Sequence, residues 1–146
     1  MNYYGYDECR IDVRSLIEQS RAYEPEAIVA IARGGLMLGE LIGYGLNIRN
    51  VQSIHVESYD DDVQRERVKI FGSCDLNGLK QVLIVDDIVD SGKTMQAVIQ
   101  HFKALYPECD FKIAAIFYKP SAILQPDFSV KEATGWIDFF WDVDFA

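Results

Sequence analysis

The segment Val82–Thr94 (VLIVDDIVDSGKT) constrains this chain more than any other. A β-branched apolar run ends in two adjacent carboxylates, Asp86 and Asp87. A third carboxylate, Asp90, follows with the small residues Ser91 and Gly92, and an amphipathic segment then begins. This order predicts a buried parallel strand that delivers Asp86 and Asp87 to the carboxyl edge of a sheet, then a short turn into a helix. In open α/β sheets that edge is where ligands bind. Free backbone N–H groups at a helix start favour a phosphate. Acids beside an anion cradle suit a sugar phosphate: the carboxylates take hydroxyls and a divalent cation, and the turn takes the phosphate.

The flanking sequence alternates in the same way. Asp7–Arg21 carries Ile11, Leu16 and Ile17 at roughly helical spacing, and Pro25 closes that region. Ala27–Ala32 is a small apolar run of strand length. Arg33-Gly34-Gly35 is the turn after it, and Leu36–Leu46 reads as a helix. Val51–Tyr59 alternates like a strand. The charged stretch Asp60–Lys69 has no apolar face beyond Val63 and Val68, so it reads as a mobile loop or an exposed ribbon. Gly72–Gly78 is turn-like. A helix from about Thr94 to Tyr106 and a strand over Phe111–Tyr118 follow. After Pro126 the pattern weakens, and Thr134–Asp142 is aromatic and irregular. Strands alternating with helices predict an α/β fold, a mainly parallel sheet flanked by helices. The 146 residues fit a single domain, 1–146.

Acidic residues outnumber Lys and Arg by 23 to 14, for a net charge of −9. That excludes general nucleic-acid binding, which needs a basic surface. It also means that a polyphosphate ligand must be met by a few well-placed cations, by Mg²⁺, or by both. No apolar run is long enough to span a membrane. The start of the chain lacks the basic-then-apolar order of a signal peptide. Cys9, Cys74 and Cys109 are odd in number and far apart, which fits free thiols in a reducing cytoplasm rather than a disulfide framework or metal knuckle. His55 and His101 read as structural.

Two nucleotide motifs are excluded by spacing. Gly92-Lys93-Thr94 ends like a P-loop, but that loop needs a Gly where Asp87 stands. Arg33–Gly39 lacks the glycine spacing of a dinucleotide fingerprint. Helix capping alone needs one Asp, whereas three at the end of a buried strand need cationic or hydroxyl partners.

The segment Val82–Thr94 resembles the ribose-5-phosphate and diphosphate motif of type I phosphoribosyltransferases. Further matches are similar to the bacterial xanthine-guanine branch of that family: Ala32–Leu36, Gly45–Arg49, Ser58–Asp60 with Gln64–Glu66, Phe117–Pro120, Trp136-Ile137 and Trp141-Asp142. The resemblance spans roughly Ile28 to Asp142. It implies the type I phosphoribosyltransferase fold with a small aromatic C-terminal hood.

Residue roles follow from that resemblance. Asp86 and Asp87 would hold the ribose hydroxyls, with Asp87 also reaching Mg²⁺. Ser91, Gly92, Lys93 and Thr94 would cradle the 5-phosphate; xanthine-guanine enzymes often carry a small residue at the place of Lys93, and hypoxanthine-type relatives carry Lys. Arg33 and Gly34 would contact the diphosphate, with a cis peptide implied between them. Arg65, on the charged stretch, would fold over the diphosphate as part of a lid; Arg67 and Lys69 receive no role. Lys119 would donate to the purine 6-oxo group, Trp136 would stack on the base, and carbonyls near Trp136 and Ile137 would meet its 2-position. Phe139, Phe140 and Trp141 are open to a core or a dimer role. Asp90 would be catalytic, managing the proton at purine N7.

The implied activity is a cytoplasmic, Mg²⁺-dependent purine salvage enzyme, a homodimer or homotetramer. It would move the 5-phosphoribosyl group from 5-phosphoribosyl-1-diphosphate to N9 of guanine, xanthine or hypoxanthine. The alternatives are a regulator of the same fold that senses the sugar diphosphate, and an enzyme with another base acceptor such as adenine or orotate. The acidic balance disfavours the regulator, and Lys119-Pro120 with Trp136-Ile137 favours a 6-oxopurine.

Overall fold

The computed structural model describes residues 2–60, 63 and 66–146. The elements run β1 (Asn2–Tyr4), α1 (Tyr6–Arg21), β2 (Ala27–Ala32), α2 (Leu36–Leu46), β3 (Val51–Asp60), β4 (Glu66–Phe71), β5 (Gln81–Val89), α3 (Lys93–Leu105), β6 (Asp110–Tyr118), β7 (Lys131–Glu132) and β8 (Ile137–Phe139). Six strands form one sheet in the order β4-β3-β2-β5-β6-β7, and β1 and β8 form a separate parallel pair.

All neighbours in the large sheet are parallel except β3 and β4. The parallel order follows from the crossovers, since α2 carries the chain from β2 to β3 and α3 carries it from β5 to β6. Those crossovers leave in opposite directions, so the strand order reverses between β2 and β5. The mouth of the sheet at that reversal is where this fold class binds ligands.

Central strands β2 and β5 are apolar on both faces because both faces are covered. On one side Ala27, Val29, Ile31, Val82 and Ile84 pack with Val98 and Phe102 of α3. On the other, Ile28, Leu83 and Val85 pack with Leu16 of α1 and Leu38 and Ile42 of α2. Helix α1 buries Cys9, Asp12, Val13, Leu16 and Ser20, and its first turn carries Asp7 and Glu8 against the helix dipole. Ile11, apolar and at helical spacing with Leu16 and Ile17, is 70% exposed. The register is instead set by two polar residues with internal partners: Tyr4 donates to Asp12 at 2.6 Å, and Ser20 donates to the Leu16 carbonyl at 2.7 Å.

The described part of the charged stretch is a ribbon, with Tyr59 opposite Arg67 and Glu57 opposite Lys69. The aromatic tail is ordered as a cluster: the Tyr4 ring meets Phe117, Phe139 and Trp141 edge-on, at 5.2, 5.8 and 6.2 Å. Cys9, Cys74 and Cys109 are free and buried. Among the described residues, no helix is long and apolar enough to cross a membrane.

Candidate active site

Strand β5 runs further than its sequence suggests. Its last residue paired with β2 is Val85, opposite Ala30, but β6 continues beside it through Asp86–Ala115, Ile88–Phe117 and Val89–Tyr118. Asp86 and Asp87 therefore lie inside the strand, not at its tip, with the edge toward β2 open. The turn after β2 fills that opening. Gly35 donates to the Ile31 carbonyl at 2.8 Å and Leu36 to the Arg33 carbonyl at 3.1 Å. A side chain on Gly34 would collide with the Asp87 carboxylate, and one on Gly35 with the Val85 and Ile31 carbonyls. The cis peptide of this turn joins Ala32 to Arg33, one bond before the Arg33–Gly34 position expected from the sequence. The reversal falls at the very end of β2, where Ile31 already accepts the Gly35 N–H. Arg33 is exposed beside it.

Asp86 and Asp87 form a tight acidic pair. The Asp87 N–H donates to Asp86 Oδ1 at 2.8 Å. Burial, with the Asp87 charge added, holds the Asp86 carboxyl well above the usual carboxylate range, and burial also lifts Asp87. Among the described residues, neither is ion-paired with a lysine or arginine. Half-buried carboxylates of this kind are stabilised as anions by a cation or by hydroxyl donors. Their adjacent hard oxygens fit Mg²⁺. Among the described residues, no group of three His, Cys, Asp or Glu converges as a cage. One or two carboxylates plus water and substrate oxygens is the usual way that ion is held.

The turn after β5 is braced from outside. Gly92 adopts φ +85° and caps α3. Ser91 Oγ accepts the Lys93 N–H at 3.2 Å, and the Gly92 carbonyl accepts the Gln96 N–H at 2.9 Å. The Ser91 carbonyl accepts the Ile123 N–H at 2.9 Å, and the Val89 carbonyl accepts the Lys119 N–H at 3.0 Å. Ser91 and Lys93 are exposed, Thr94 is half-buried and Gly92 is buried against the 123–124 backbone. Polar backbone and hydroxyl groups thus gather in the turn that follows Asp87 in the chain.

At the start of that turn, Lys119 Nζ lies 2.8 Å from Asp90 Oδ1. Trp136 is 73% exposed, and its carbonyl accepts the Asn2 N–H at 3.2 Å. Ile137 is half-buried against the aromatic cluster, opposite Asn2 in the β1–β8 ladder. The part played by β1 has no signal in the sequence, because a three-residue strand is too short to show a period. Arg65 lies outside the described residues. The structure brings together Arg33, Gly34, Asp86 and Asp87 around one mouth, with Asp90 to Thr94 and Lys119 on its rim.

The phosphoribosyl transferase domain family matches residues 4–146 of the chain. The chain belongs to the phosphoribosyltransferase family. This phosphoribosyltransferase is similar to the Helicobacter pylori xanthine-guanine-hypoxanthine phosphoribosyltransferase, with 34% identity, 97% of this chain and 94% of that one covered, and a TM-score of 0.89. It is also similar to a purine phosphoribosyltransferase from Pyrococcus horikoshii, with 31% identity, 99% and 96% covered, and a TM-score of 0.84.

Proposed function

We propose that this chain is a purine salvage enzyme. It transfers the 5-phosphoribosyl group from 5-phosphoribosyl-1-diphosphate to N9 of a 6-oxopurine and releases diphosphate. The observation that carries the base assignment is the Lys119–Asp90 pair. Lys119 offers a donor to the base oxygen, and Asp90 offers an acceptor to the adjacent ring nitrogen. Adenine carries a donor at its 6-position and is disfavoured. The similarity to relatives named for xanthine, guanine and hypoxanthine supports the same reading.

In this reading the ribose hydroxyls bind Asp86 and Asp87, and the 5-phosphate binds the turn from Ser91 to Thr94. Arg33 and Gly34 face the diphosphate, and Arg65 joins them as a cation on the charged stretch. Asp87, with Asp86 beside it, would hold Mg²⁺, which when bound supplies positive charge to the diphosphate oxygens. As the bond from ribose C1 to the diphosphate lengthens, positive charge develops on the sugar ring. Arg33 and Arg65 meet the negative charge on the departing group. Asp90 takes the proton at N7 as N9 attacks C1. Trp136 covers the base, and backbone carbonyls near Trp136 and Ile137 face its 2-position. The enzyme is assigned to the cytoplasm as a homodimer or homotetramer.

The test is diphosphate release with guanine, xanthine, hypoxanthine, adenine and orotate, each with and without Mg²⁺. Release with the three oxopurines, abolished by chelation, is expected. Release with orotate alone, or with no base, overturns the assignment.

A further inference from the structure

We infer that Tyr4, Asp12 and Lys131 are positioning residues that set the purine platform at Trp136-Ile137 relative to Lys119. This rests on the purine site proposed above. The two halves of that site stand on different sheets. Lys119 follows β6 in the large sheet, whereas Ile137 opens β8, whose strand neighbour among the described residues is β1 alone.

Four joints close a ring between the halves. β8 is laddered to β1, with Tyr4 opposite Phe139, and the Phe140 N–H donates to the Tyr4 carbonyl at 2.9 Å. The Tyr4 hydroxyl donates to Asp12 Oδ2 on α1 at 2.6 Å. Lys131 Nζ lies 3.0 Å from the same Asp12 oxygen and 2.7 Å from Glu8 Oε2. Lys131 opens β7, which is laddered to β6 with Lys131 opposite Phe117 and Glu132 opposite Tyr118. The next residue of β6's chain is Lys119. One carboxylate oxygen thus holds both the strand beneath the platform and the strand beside the lysine.

Asp12 is the component that neither substrate chemistry nor surface solvation explains. It is 5% exposed and is the one charged residue on a buried helix face with Cys9, Val13, Leu16 and Ser20. A buried carboxylate is tolerated because Lys131 and Tyr4 satisfy it together. Burial and the Asp12 hydrogen bond push the Tyr4 hydroxyl pKa up, so the phenol stays protonated and remains a donor. The Lys131 ammonium also stands 5.6 Å over the Tyr4 ring, which fixes the ring of the aromatic cluster from above.

The experiment measures steady-state kinetics with guanine for Tyr4→Phe, Asp12→Asn, Lys131→Met and Lys131→Arg. Loss of a joint is expected to raise the guanine KM about tenfold, leaving kcat and the sugar diphosphate KM within about twofold. Lys131→Arg, which keeps the charge, is expected to restore the guanine KM. Tyr4→Phe keeps the ring, and its thermal transition is recorded alongside. An unchanged guanine KM in the first three variants overturns the positioning role. So does an equal rise in both KM values, or loss of the folded state in Tyr4→Phe, because the hydroxyl's hydrogen bond to Asp12 would then serve the whole fold. A wild-type protein that transfers nothing to guanine defeats the purine reading itself, and the two failures are thereby separate.

Discussion

Lys119 at the end of β6 and Asp90 just beyond β5 hold each other, ammonium to carboxylate, at 2.8 Å. Both are partly exposed, at 41% and 66%, so the pair adds little to stability. Under the proposed function its value lies in placing one donor and one acceptor side by side at the rim of the sugar site. A base that bridges the two exchanges their mutual contact for its own.

Asp90→Asn therefore separates folding from turnover. The variant keeps the wild-type melting transition and retains binding of 5-phosphoribosyl-1-diphosphate, while kcat with guanine falls by about 10²–10⁴. Single-turnover kinetics with calorimetric binding of the sugar checks both halves. Wild-type turnover removes Asp90 from the chemistry.

Asp86 gives a stability test with a definite sign. Its folded carboxyl holds a proton more tightly than the unfolded chain does, because burial and Asp87 disfavour the anion. Its contribution to stability is full in acid, below the ordinary carboxylate value, and is lost as pH rises through the raised native value. Asp86→Asn, neutral throughout, should melt roughly 3 °C above wild type at neutral pH. The advantage should shrink toward acid, while activity is lost. A neutral-pH midpoint at or below wild type would contradict the burial account.

Gly34 and Gly35 are neighbours with opposite expected effects. A methyl on Gly34 meets the end of a side chain, the Asp87 carboxylate, which can swing away at the expense of ribose and metal binding. Gly34→Ala should fold and show a sugar diphosphate KM raised by about tenfold or more, with the guanine KM little changed. A methyl on Gly35 meets two backbone carbonyls that cannot swing. Gly35→Ala should lose about 1–3 kcal/mol of stability in urea unfolding. Reversal of the two outcomes would show that the turn is not packed as described.

Gly92 combines a left-handed φ of +85° with a Leu124 nitrogen 2.8 Å from where a Cβ would sit. Gly92→Ala should lose about 2 kcal/mol, from conformation and crowding together. The sugar KM should rise with it, because the turn must open to admit the methyl. Urea unfolding and initial rates at limiting sugar measure the two effects.

Much of the frame was legible in the sequence. Ala27–Ala32 and Leu36–Leu46 have the expected bounds because Pro25, the Arg33–Gly35 turn and Asn47 punctuate continuous apolar runs. The acid-bearing strand was legible as an element but not in its length: β6 pairs with it beyond the point where β2 leaves, and that is a tertiary fact. The buried face of α1 is not legible from its apolar spacing, since a hydrophobic pattern counts Ile11 as inward and Asp12 and Ser20 as outward residues. Both are satisfied indoors, one by a tyrosine more than a helical turn away and the other by its own helix. The pairing of β1 with β8 joins residues from opposite parts of the chain, and no local period announces it.

Three contacts stitch the loop after β6 to the loop after β5: Lys119 N–H to Val89, Ile123 N–H to Ser91, and Leu124 against Gly92. In the proposed site the 5-phosphate lies on one of these loops and the base on the other, so the two subsites share a seam. In the proposed site, a rearrangement of one margin on phosphate capture would reach the other through these contacts, and the two binding events would be coupled. If a docked sugar alters the affinity for the base by some factor, a docked base must alter the affinity for the sugar by that same factor.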